Sequence, residues 1–110
     1  MDPVVAELHL EEVSSEGLSR PLSIRIGLPK EQPEGEWGCP LSITDGPSRD
    51  IYGLDSFQAL CLAIRVAMSH LDHLQDRGSR LLLAGGYPFP ISAYSTEPFR
   101  TPPPPADDGA

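Results

Sequence analysis

From Ser56 to Arg77 the chain holds twenty-two consecutive residues without a proline or glycine, bounded by Asp55 on one side and Gly78 on the other. As a helix, that run would be about 33 Å long at 1.5 Å per residue. A helix of this length takes most of its stability from covering an apolar face, not from intrinsic propensity. The rest of the chain must therefore supply something broad and apolar to receive it. Asp55 is suited to the N-cap, with Ser56 the alternative, because a side-chain oxygen there accepts an orphan N–H of the first turn. Gln58 stands three residues after Asp55, the spacing of a capping box. Gly78 suits the left-handed stop, with Arg77 favourable at the negative end of the dipole.

The receiving surface is written in alternation. Val4, Ala6, Leu8 and Leu10 point one way, while Val5, Glu7, His9 and Glu11 point the other, the pattern of a half-buried strand. Leu22, Ile24, Ile26 and Leu28 repeat it after a Ser14–Gly17 turn, which predicts an antiparallel hairpin with one dry face. A third alternation places Trp37, Cys39, Leu41 and Ile43 inward. Pro40 lacks a ladder donor and marks an edge or bulge there. A short fourth strand is expected at Arg49 to Tyr52 and a fifth at Leu81 to Ala84. Residues 29–35 read as a polar loop, and residues 101–110 (TPPPPADDGA) as a polyproline stub with a polar end. The prediction is a two-layer α+β fold: an antiparallel meander of three to five strands with one long helix packed on one face. A single domain covers residues 1–99, and residues 100–110 form a disordered proline-rich tail.

On the helix, Phe57, Leu60, Cys61, Ile64, Met68 and Leu71 fall in one stripe about 100° wide, expected to cover the sheet. Ala59, Leu62, Ala63 and Val66 make a second apolar strip. Either the segment after the helix covers it, or it is an interface for a homodimer or an accessory structural subunit.

Charge narrows the choice of partner. Sixteen carboxylates oppose eight Lys and Arg, for a formal charge of −8. Eight of those acids lie between Asp2 and Glu36, against Arg20, Arg25 and Lys30. Such a field repels phosphate backbones and anionic membrane surfaces, so nucleic acid and membrane are poor partners. It attracts a basic protein. Glu7, Glu11, Glu12, Glu31, Glu34 and Glu36, from the wet strand face and the adjoining loop, are the residues nominated for that contact.

No chemistry-bearing constellation forms. His70 and His73 lie at i,i+3, but a closed zinc site wants four ligands, and Asp72 and Asp76 project to another stripe. No metal and no cofactor are expected. Cys39 and Cys61 stand twenty-two positions apart and match neither a redox motif nor a disulfide framework. No G-x-S-x-G occurs, and Gly85-Gly86 lacks the Lys-Ser/Thr of a phosphate loop. The chain is expected to be a non-enzymatic, cytoplasmic protein-binding module, of the inhibitor or immunity type that neutralises a basic partner such as a toxin domain.

Trp37-Gly38-Cys39-Pro40, Tyr52-Gly53-Leu54-Asp55-Ser56-Phe57-Gln58-Ala59-Leu60 and Gly85-Gly86-Tyr87-Pro88 together resemble an uncharacterised bacterial family of small domains of unknown function. The resemblance spans roughly residues 4–95. It implies the architecture of a strand running into a capped helix, and it carries no functional residues over.

Overall fold

The computed structural model describes residues 3–44 and 46–94. The expected tail, residues 100–110, lies outside them. The strands are β1 (Val4–Val13), β2 (Ser19–Gly27), β3 (Lys30–Glu31), β4 (Trp37–Ile43), β5 (Arg49–Gly53) and β6 (Arg80–Leu82), with one helix, α1 (Ser56–Asp76), between the last two. A single turn of 3-10 helix, Ile91–Tyr94, follows. All pairings are antiparallel. β1, β2, β4 and β5 run as a meander, and β6 returns beside β1. The fold is α+β, with the helix packed against the sheet.

The sheet has six strands because the 29–35 loop contains one. Lys30–Glu31 pairs with Gly38 and Trp37, on the same side of β4 that β2 occupies further along. Between these two pairings sits Pro40. Continuing the register Ile24↔Ile43, Ile26↔Leu41 would set Gly27 opposite Pro40, which has no N–H to offer. The Cys39 thiol donates to the Gly27 carbonyl instead, at 3.4 Å. Pro40 thus lies inside the sheet, where one half-ladder ends and the next begins.

The inward rows of β1 and β2 are Leu8/Ile24 and Leu10/Leu22, with Ile26 buried next along β2. Leu10, Leu22, Ile24 and Ile26 are buried together with Leu41, Leu71, Leu74 and Leu81, each worth about 1.5–3 kcal/mol when fully covered. Val4, Ala6 and Leu28, expected inward, are exposed, and the register slips between the first two.

Both helix caps form. The Asp55 carboxylate accepts from the Gln58 N–H at 2.7 Å, and Gln58 Oε1 accepts from the Leu54 N–H at 2.7 Å. At the other end, the Ser79 N–H donates to the Leu74 carbonyl and the Gly78 N–H to the Gln75 carbonyl, with Gly78 at φ +96°. These two bonds are a Schellman motif.

The face that α1 turns to the sheet differs from the expected one. Its buried residues are Ala59, Ala63, Ala67, Leu71 and Leu74. Leu60, Ile64 and Met68 are half-buried on one flank, Leu62 and Val66 on the other, and Phe57 is 75% exposed. Large side chains flank the contact line and alanines lie on it, so the helix backbone comes down close to the strands. Gly53 permits this: a Cβ on it would stand 2.5 Å from the Ala59 nitrogen. Ala59 and Ala63, proposed from sequence as interface residues, have no exposed surface. They cannot touch a second subunit. Among the described residues, the segment after the helix does not cover the second strip either. It folds at Gly85-Gly86, returns beside β6 with the Phe89 N–H on the Leu81 carbonyl, and contributes Phe89 and Ile91 to the core. Leu62 and Val66 instead line an open groove.

Candidate functional site

The six nominated carboxylates separate into two groups. Glu7 lies on the outer sheet face and is shared between Arg25, at 3.4 Å, and His9, at 3.0 Å. Glu11, on the same face, accepts from the Ser19 hydroxyl. Glu12 departs most from expectation. Leu8 and Leu10 precede it on the inward face, and Glu12 continues that row opposite Arg20, so it is turned inward and is 5% exposed. Its oxygens accept from Arg20 Nε at 2.6 Å and Ser79 Oγ at 2.7 Å. Burial pushes this carboxyl up, but the hydrogen bonds from Ser79 and Arg20 outweigh burial and hold it below the usual carboxylate range. Glu12 is a tie between the β1–β2 hairpin and the residue just beyond the helix. It is not a contact for a partner.

Glu31, Glu34 and Glu36 are different. All three are exposed, and among the described residues none forms an ion pair. They are carried on the β3–β4 hairpin, whose turn is closed by the Gly35 N–H on the Gln32 carbonyl, with Pro33 at the position a type I turn favours. The Gln32 N–H on the Glu36 carbonyl extends the pairing to the last residue before β4.

The register then brings an apolar group to this acidic tip. Glu31 is opposite Trp37, and Trp37 is opposite Gly53. One step further, Leu54 follows the strand end level with Glu36, and Phe57 stands in the first turn of α1. Leu54 is 81% and Phe57 75% exposed. The Tyr52 ring lies over Gly38 on the outer face, and the Gln32 side chain reaches the same glycine. Two large, mostly exposed apolar side chains at a capped helix start, at the same end of β4 as three carboxylates without an ion pair among the described residues, form a surface suited to a partner. Phe57, expected in the core-facing stripe, shares the angular position of the Leu60–Ile64 flank. Phe57 lies two residues before Ala59, the first helix residue buried against the sheet.

Cys39 is fully buried, and burial, with Asp50 adding to it, pushes its thiol up, which keeps it protonated and unreactive. Cys61 is free and half-buried. Among the described residues no group of three or more His, Cys, Asp or Glu converges on a metal position, and no helix is long and apolar enough to cross a membrane. His70 and His73 line the open groove beside α1, together with Arg65 and Arg49.

A family model, a domain of unknown function (DUF6968), matches residues 7–91. No curated protein and no solved structure matches the chain.

Proposed function

Taking as premise that the chain belongs to this DUF6968 family, we propose that it is a non-enzymatic protein-binding module whose working surface is the acidic, apolar-centred corner made by the β3–β4 hairpin and the start of α1. One observation carries the reading: Leu54 and Phe57 are exposed at the start of α1, where the register Glu31–Trp37–Gly53 brings β5 alongside the hairpin that carries the exposed Glu31, Glu34 and Glu36. Interfaces with real affinity centre on large apolar anchors within a polar rim. Here the rim is anionic, which selects a basic partner and speeds its encounter. An inhibitor or immunity-type role, neutralising a basic partner such as a toxin domain, fits this surface and the excess of negative charge. Action in the cytoplasm fits two cysteines that remain unpaired.

The test is affinity capture at low and high salt, with wild-type protein against the double variant Leu54→Ser/Phe57→Ser. A basic protein held by the wild type, released by salt and lost with the variant supports the reading. Recovery of the same proteins by both forms would remove it.

A further inference from the structure

The flank of α1 that faces away from that corner carries charge of the opposite sign. Ile43 at the end of β4, with Leu62 and Val66 of α1, forms the apolar wall of a groove of about 590 Å³. Arg49 enters it from β5, Arg65 and Ser69 border it from the helix, and His70 and His73 occupy its far end. No carboxylate lines it among the described residues, in a chain whose formal charge is −8. Neither Arg49 nor Arg65 forms an ion pair among the described residues. Along the helix, Arg65 stands between the apolar positions 62 and 66, and His70 and His73 follow about one turn on.

From this arrangement we infer that the groove is a binding site for a single-chain amphiphilic carboxylate, its hydrocarbon on Ile43, Leu62 and Val66 and its carboxylate among Arg49, Arg65 and the two histidines. The inference concerns a surface separate from the proposed protein-docking corner and does not depend on it. Three considerations favour this occupant. The volume falls within the range of roughly 300–1,000 Å³ typical of small-molecule sites. From Leu62 to His73 the helix advances about 16 Å, at 1.5 Å per residue, enough for a medium-length chain laid along it. Two arginines without an ion pair among the described residues, and no carboxylate beside them, favour an anionic head. Arginine guanidinium also suits a carboxylate, which it can engage with two parallel N–H donors.

The probe is sodium decanoate, titrated below its micelle concentration into isotopically labelled full-length protein and followed by methyl and amide chemical shifts. Acetate, decyltrimethylammonium, an acidic apolar peptide and anionic phospholipid vesicles serve as comparison arms. Saturable shifts at Leu62, Val66, Ser69 and His73, with decanoate at least about tenfold tighter than acetate, support the site; that ratio is about 1.4 kcal/mol. The double variant Arg49→Gln/Arg65→Gln alters exposed side chains and should weaken decanoate binding about three- to tenfold, as expected of two exposed charge contacts. Val66→Thr, nearly equal in size, should weaken decanoate and leave acetate unchanged. Equal binding of the cationic amphiphile, shifts spread away from the groove, or a response to peptide or vesicles with none to decanoate would each overturn the inference.

Discussion

Gly53, the last residue of β5, lies directly beneath the backbone of Ala59, so close that a Cβ on the glycine would stand 2.9 Å from the Ala59 Cα and 2.5 Å from its nitrogen. Backbone cannot yield as a flexible side chain can. Gly53→Ala should therefore destabilise the fold by about 1–3 kcal/mol or more, the range for overpacking a filled core, read as a lower denaturation midpoint with unchanged slope. Its φ is not in the left-handed region, so close approach, not a turn, is what requires glycine here.

The same contact orders substitutions along α1. Ala63→Leu places a large side chain on the line between helix and sheet, and a loss of about 1–3 kcal/mol is expected. Phe57→Ser, on a side chain 75% exposed, should change stability by no more than about 0.5 kcal/mol. Thermal denaturation of the two variants reverses the ranking that side-chain size alone would give.

Much of this was legible in the chain. Asp55, Gln58 and Gly78 marked the helix ends correctly because capping is local chemistry, fixed by a few neighbouring atoms. Alternation in β1, β2 and β4 gave Leu10, Leu22, Ile24, Ile26 and Leu41 for the same reason, but not Leu28, which lies past β2 and is exposed. Rotation of α1 about its axis was not legible, since its apolar arc is wide and hydrophobicity alone favours the large residues over Ala59, Ala63 and Ala67. What decides it is Gly53, a residue outside the helix. Glu12 was misplaced because a charged residue ending an apolar row looks like the start of solvent. Its partners, Arg20 and Ser79, are 8 and 67 positions away. The docking corner was half visible: the three hairpin glutamates were nominated, but their union with Leu54 and Phe57 exists only through strand register.

Cys39 sits where Pro40 denies the sheet a donor, and its thiol serves the Gly27 carbonyl. Cys39→Ala leaves that buried acceptor unsatisfied and opens a small void, for an expected loss of about 1–3 kcal/mol. In the wild-type protein, a thiol reagent should modify half-buried Cys61 ahead of Cys39, which is fully buried. Cys39 should react only at the rate of unfolding.

Acid should weaken the fold in two stages. His70 is held below its ordinary 6.5 by burial, with His73 and Arg20 adding to it against Glu12. The unfolded chain therefore takes the proton first, and stability is full above about pH 6.5 and falls as pH drops through the folded value. Glu12, held below 4.5 by Ser79 and Arg20, contributes stability that is full above about pH 4.5 and is lost below it. Denaturant midpoints measured across pH 3 to 8 should show both declines. His70→Gln should flatten the first and Glu12→Gln the second.

The claim on which the account rests is that contact happens at the corner where the acidic hairpin meets the helix start. Chemical-shift mapping of the labelled protein with the partner recovered by capture tests this most directly. Perturbations should gather at Glu31, Glu34, Glu36, Leu54 and Phe57 and at the Trp37 indole, and fade as salt is raised. Perturbations centred instead on Glu7, His9 and Arg25 of the outer sheet face, with the corner silent, would contradict it.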